Sequence, residues 1–178
     1  VWVVNEWDSI IPNLLAGNYD TIIAGMSITE ERDKVIDFTQ AYYPPAPSFY
    51  VALDGANANL KSGVIAAQTG TIQAGHIAAT GATLVEFATP DETIAAVRNG
   101  EADAVLADSD YLAPIIKESG GKLVQVGEVY LGDGIGLGVR ETDNALKEKM
   151  NKAITSMKQD GSLNKLLVKW FSADIKTY

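Results

Sequence analysis

Asp8-Ser-Ile-Ile-Pro-Asn-Leu-Leu-Ala-Gly17-Asn-Tyr-Asp20-Thr-Ile-Ile-Ala24-Gly25 recurs, at an offset of 83 residues (Asp8 to Asp91), as Asp91-Glu-Thr-Ile-Ala-Ala-Val-Arg-Asn-Gly100-Glu-Ala-Asp103-Ala-Val-Leu-Ala107-Asp108. The copies are identical at Asp8/Asp91, Ile11/Ile94, Gly17/Gly100, Asp20/Asp103 and Ala24/Ala107, and aliphatic in both at Leu14/Val97, Ile22/Val105 and Ile23/Leu106. Each copy reads as a short amphipathic helix, a glycine stop and a buried strand, Thr21–Ala24 in the first and Ala104–Ala107 in the second. In open α/β sheets ligands bind beyond the carboxyl ends of the strands. A duplicated unit therefore predicts two sheets, and two lobes facing one cleft. The residues that follow the two strands carry opposite charge, Arg32 shortly after the first and Asp108 directly after the second. A cation on one wall and a carboxylate on the other suit a zwitterion such as an α-amino acid.

Composition narrows the field. The chain has 178 residues, 47% of them hydrophobic, enough for one ordinary domain or two small lobes. Its mean hydropathy is near zero, and no apolar run approaches the roughly 20 residues of a membrane helix. A net charge of −9, with lysines scattered along terminal helices and no basic patch, argues against nucleic acid. The absence of cysteine excludes disulfides, thiol catalysis and zinc–thiolate sites, and is compatible with an oxidising compartment. With His76 as the sole histidine, a histidine metal site or relay is disfavoured; His76 reads as a helix-surface residue. Asp108 and Asp110 alone make a poor metal site.

Outward from the repeat, Val1-Trp2-Val3-Val4 reads as a strand with no lead-in. Ser27-Ile-Thr-Glu30 has the spacing of a capping box and predicts a short helix through Val35. The proline-rich Tyr42–Pro47 stiffens a connector, and Phe49–Leu53 is an apolar strand. Val64–Ala67, Leu84–Phe87 and Leu123–Val126 are further strands. Gln68-Thr-Gly70-Thr-Ile-Gln73 is a strand-to-helix turn, and Thr89-Pro-Asp-Glu92 is the clearest helix start in the chain. Alternating glycines in Gly132–Arg140 permit close backbone approach. Asp143 is predicted to cap a helix whose apolar face is Leu146, Met150, Ala153 and Met157; Gly161 ends it, and a last helix runs from about Ser162 to Phe171. Trp2, Trp170 and Phe171 read as core. The expected division is 1–51 and 135–178 for a discontinuous first lobe and 52–134 for the second, with two hinge crossings.

Ala24-Gly-Met-Ser27-Ile-Thr-Glu-Glu-Arg32 is the most specific stretch. Ser27 and the N–H groups of a helix start can receive a carboxylate, and Arg32 can grip the same anion with a bidentate fork. Spacing alone leaves a second reading open, a capped surface helix whose Arg32 pairs with Glu30 or Glu31. Asp108 could equally be only a helix N-cap, and Trp7 only a core residue.

Ser27-Ile-Thr-x-x-Arg32 after a buried strand, Ile36-Asp-Phe38-Thr, Gln68–Gln73, Ala107-Asp108, Gly136–Arg140, Asp160-Gly-Ser162 and Trp170-Phe171, in that order, resemble the polar amino-acid-binding proteins of bacterial ABC importers. These are type II periplasmic solute-binding proteins, and the resemblance runs through the whole chain. It implies a two-lobed α/β fold that captures a polar amino acid, basic or opine-like, in the periplasm by hinge closure. Delivery would be to an inner-membrane ABC permease, with no enzyme activity, cofactor, metal, nucleic acid or membrane insertion. It also implies that Arg32 holds the α-carboxylate with Ser27, Thr71, Ile72 and Gln73, beside Gln68. Asp108 takes the α-ammonium, and Trp7 stacks on the ligand side chain. Where basic-amino-acid binders often carry two serines, Ala24 and Gly25 leave room for a longer or bulkier side chain. Family members have a further strand and helix before Val1, so a fragment, or a strand supplied by another copy, is expected here. Two rival classes stay open: a cyclohexadienyl-type dehydratase, for which Glu6 or Asp110 would be the acid, and a ligand-sensing receptor ectodomain.

Overall fold

The computed structural model describes residues 1–171 and 177–178. The chain forms two compact units, Val1–Pro45 with Gly132–Tyr178, and Ala46–Leu131.

The first unit opens with a 3₁₀ turn, Trp7–Ser9, that runs into α1 (Ile10–Leu15), and ends its N-terminal part with a 3₁₀ turn at Arg32–Lys34 and β1 (Asp37–Phe38). In the second unit β2 (Pro47–Leu53), β3 (Val64–Gln68), α2 (Ile72–Ala78), β4 (Thr83–Phe87), α3 (Pro90–Asn99), β5 (Ala104–Asp108), α4 (Ser109–Glu118) and β6 (Leu123–Tyr130) follow in turn. The chain then returns to the first unit as β7 (Gly138–Val139), α5 (Asn144–Gln159) and α6 (Ser162–Trp170). All of β2 lies inside the second unit's sheet, which moves the first division ahead of the expected Val51/Ala52 break.

That sheet has the order β4-β3-β5-β2-β6. β3 pairs in parallel with β4 and β5, whereas β2 is antiparallel to β5 and β6. Side chains alternate across the pleat, and the two cores follow this period. Val51, Ala66 and Val105 join Ile94, Val97 and Leu112 of α3 and α4 on one face. Tyr50, Ala52, Ile65, Ala67 and Leu106 join Ala74 and Ile77 of α2 on the other. α3 starts as its sequence predicts: Thr89 accepts from the Glu92 N–H, Glu92 accepts from the Thr89 N–H, and Pro90 follows the cap.

The first unit has a smaller core of Ile10, Leu14, Ile22, Met26, Ile36 and Phe38, and here several expectations are corrected. Val1–Val4 is exposed and belongs to none of the described strands; apolarity alone, without a hydrogen-bonded neighbour, does not make a ladder. Thr21–Ala24 makes only one bridge, Ile22 to Gly138, and Ile23 and Ala24 face solvent. The apolar face of α5 is Leu146, Met150, Ile154 and Met157; Ala153 is exposed. Asp143 stands at the N-cap position but its carboxylate does not cap, because it pairs with Arg140 at 2.7 Å. Trp2, Trp170 and Phe171 are not core: they are 83%, 70% and 49% exposed, Phe171 resting against Tyr43.

Candidate functional site

Each unit holds its own set of the candidate residues. In the first, the chain passes the Ile22–Gly138 bridge, exposes Ala24 and Gly25 at a left-handed turn (Gly25 φ 68°), and buries Met26. It then runs antiparallel to the glycine-rich segment before β7. The Ile28 N–H donates to the Gly134 carbonyl and the Gly136 N–H to that of Met26. A Cβ at Gly136 would lie 3.0 Å from the Ile28 side chain and 3.1 Å from the Thr39 carbonyl oxygen, tighter than ordinary contact, so a side chain there would have to push Ile28 aside. Ser27 is therefore extended, bridged to Ile135, and is not the cap of a helix. The Thr29 hydroxyl accepts from the Arg32 N–H at 3.2 Å, forming a local turn just ahead of the 3₁₀ turn Arg32–Lys34, which has no side-chain cap.

The Arg32 guanidinium is half-buried. Its Nη1 donates to the Ser27 carbonyl at 3.0 Å, and its Cζ stands 5.7 Å from the centre of the Trp7 ring. Trp7, Ser27 and Arg32 thus form one cluster, which fixes the orientation of the fork while the planar cation lies over an aromatic face. Tyr42, a residue absent from the sequence-based candidates, joins this neighbourhood. Burial pushes its phenol up, partly offset by a hydrogen bond from the Gly25 backbone.

In the second unit, β3 ends at Gln68, whose amide donates to the Ala88 carbonyl at 3.0 Å. Gly70 turns the chain with φ 72°. Thr71 caps α2 through its hydroxyl, which accepts from the Ala74 N–H and donates to the Gln68 carbonyl. Ile72 opens the helix, half-buried. β5 delivers Asp108, exposed, to the N-terminus of α4, where the helix dipole favours a carboxylate. Asp108 occupies the N-cap position without a side-chain capping bond. Its Oδ1 instead accepts from Gln73 Nε2 at 2.7 Å, and the same nitrogen donates to Ser48 Oγ at 2.9 Å. Gln73 is thus buried and directed at Asp108 rather than outward. Ser48, absent from the sequence-based candidates, lies directly across the β2–β5 ladder from Asp108. No local signal in the sequence announces it, since its partner is set by strand register. Among the described residues no group of three or more acidic, histidine or cysteine side chains could hold a metal.

Comparison with known proteins follows the same lines. The family described as bacterial extracellular solute-binding proteins, family 3, matches residues 1–173. The chain is 33% identical to an L-arginine-binding protein of Pseudomonas aeruginosa, over 98% of its own length and 73% of that protein's. It is 32% identical to a histidine-binding periplasmic protein of Salmonella typhimurium with the same coverage. Among solved structures, a periplasmic His/Glu/Gln/Arg/opine family-binding protein from Silicibacter pomeroyi, in complex with lysine, superposes with a TM-score of 0.96. Sequence identity there is 65%, over 100% of this chain and 81% of that one. An ancestral arginine-binding protein bound to arginine gives a TM-score of 0.88 at 32% identity, covering 97% and 80%.

Proposed function

Because this chain belongs to the bacterial extracellular solute-binding proteins of family 3, with the two-lobed α/β fold of type II periplasmic binding proteins, we propose that it captures a basic α-amino acid in the periplasm for an ABC permease. Arg32 and Ser27, with the α2 start at Thr71 and Ile72, receive the α-carboxylate. Asp108 receives the α-ammonium, and Trp7 packs on the side chain. A cationic side chain over Trp7 gains about 0.5–2 kcal/mol. Ala24 and Gly25 leave room for its length. The relatives named for arginine and histidine, and the structure holding lysine, support the basic class over other polar amino acids.

The mechanism is a population shift. A ligand that engages Arg32 of one unit and Asp108 of the other binds best where both contacts are made, and it stabilises that state by its differential affinity. The role is binding, without a covalent step, a reading supported by relatives that are named as binding proteins.

The observation that carries the reading is the state of the two charged groups. Arg32 donates to the Ser27 carbonyl beside Trp7 in one unit, and Asp108 accepts from the Gln73 amide at the start of α4 in the other. Isothermal titration of Arg32→Ala and Asp108→Asn tests it. Each should weaken the amino acid that the wild type binds best by about a hundredfold or more. Unchanged affinity in either variant would remove that residue from the site.

A further inference from the structure

We infer that Gln73 is a positioning residue, whose buried amide, anchored on Ser48, fixes the Asp108 carboxylate in the orientation that receives the ligand's ammonium group. The inference rests on the role of Asp108 proposed above and extends it to two residues that the ligand does not touch.

Gln73 is 5% exposed and lies on the buried side of α2 with Ala74 and Ile77, a place where an apolar residue would satisfy the helix. A buried amide is unfavourable there unless its polar atoms are matched. Its nitrogen has two hydrogens and two acceptors in range, Ser48 Oγ at 2.9 Å and Asp108 Oδ1 at 2.7 Å. Ser48 is itself 1% exposed and is held by the β2–β5 ladder opposite Asp108. The three residues come from three elements, so this geometry follows from the fold rather than from one local turn.

An exposed aspartate at a helix N-cap position ordinarily bends back to accept the helix's own N–H groups. Asp108 makes no such capping bond; it is turned toward Gln73. A solvated carboxylate needs no buried partner for its own sake, whereas a carboxylate that must meet a cation in one orientation gains from being held beforehand, because fewer rotamers are lost on binding. The amide is suited to this task. It is neutral, so it leaves the full negative charge for the ammonium, and it donates to a charged acceptor, the stronger class of hydrogen bond.

A double-mutant cycle tests the inference, titrating whichever of lysine, arginine and histidine the wild type binds best into wild type, Gln73→Met, Asp108→Asn and the double variant. Methionine keeps the length and burial of Gln73 and removes both donors. Gln73→Met is expected to weaken binding about tenfold or more, from the usual size of a bond to a charged group. In the Asp108→Asn background the same change should alter affinity less than about twofold, because its target is gone. An equal loss in both backgrounds would mark Gln73 as merely structural and overturn the inference, as would wild-type affinity in Gln73→Met. If Gln73→Met melts too low to titrate, Ser48→Ala replaces it in the same cycle, with a loss of about three- to tenfold that must again vanish without Asp108. Unchanged affinity in Asp108→Asn alone would instead reject the ammonium site itself, and the inference would fall with it.

Discussion

Arg32 and Arg140 put the same side chain to two uses within the first unit. Arg140 is a tie. Its Nη1 donates to the carbonyls of Leu14 at 3.0 Å and Tyr19 at 2.7 Å, and its Nη2 pairs with Asp20 and Asp143. It thereby adds a charged donor to the Leu14 carbonyl, which already accepts from the Gly17 N–H, and joins the end of α1 to the start of α5. Arg140→Met should lower unfolding free energy by about 2–4 kcal/mol in a urea titration. Arg140→Lys should recover little, because a point charge cannot reproduce the fork. Arg32 donates to the Ser27 carbonyl and lies over the Trp7 ring, and the proposed function gives it the ligand carboxylate. Arg32→Ala should cost less than about 1 kcal/mol in the same titration, with the loss appearing in binding. The sequence singled out Arg32 as the anion-gripping guanidinium, but the tie made by Arg140 was not legible there. A sequence shows that Arg140 follows a glycine-rich segment, not that two backbone carbonyls near Leu14 and Tyr19 converge on it. The setting of Gln73 was hidden for the same reason: in the chain it stands beside Thr71 and Ile72, and only the turn of α2 brings its side chain to Ser48 and Asp108.

Among the elements, those whose signals are local were legible and those that depend on a partner were not. Thr89, Pro90 and Glu92 specify the start of α3 with side chains three residues apart, and the structure forms that capping box. Thr89→Ala should therefore destabilise the protein by about 1 kcal/mol in thermal or chemical unfolding. The strands of the second unit were likewise readable, because each is an apolar run that finds a neighbour. Thr21–Ala24 is comparably apolar, but among the described residues it bridges only to Gly138, so the same pattern yields a single bridge in place of a strand. Asp143 shows the competing case, an ion pair with Arg140 displacing a predicted cap. Between α3 and α4, Tyr111 donates to Asp91 at 2.7 Å, and burial together with that bond pushes its phenol well above the usual tyrosine range. The native state thus holds the proton more tightly than the unfolded chain. The resulting stability is present in full below about pH 10, the ordinary tyrosine value, and is lost as pH rises above it. The stability gap between wild type and Tyr111→Phe, measured in urea at pH 9 and pH 11, should shrink at the higher pH. A gap independent of pH would mean that the bond carries no linkage.

At the scale of the molecule, the duplicated helix–glycine–strand unit did point to two α/β units, and the residues that follow the predicted strand in each copy, Arg32 and Asp108, carry the charges on which the proposed function depends. Among the described residues the second unit is a five-stranded sheet with a core on each face, and the first holds a two-stranded sheet and a smaller core. Binding should add to the stability of both through linkage. At a hundred times its dissociation constant a ligand stabilises the native state by about 2.7 kcal/mol. The central claim is that a free α-carboxylate and a free α-ammonium are both read, and the measurement that tests it most directly is thermal unfolding with blocked and unblocked amino acids. Lysine, arginine and histidine would each be compared with their methyl esters and Nα-acetyl forms at equal concentration. At least one free amino acid should raise the melting temperature, and both of its blocked forms should leave it unchanged. Equal shifts from free and blocked forms, or no shift from any free amino acid, would contradict the account.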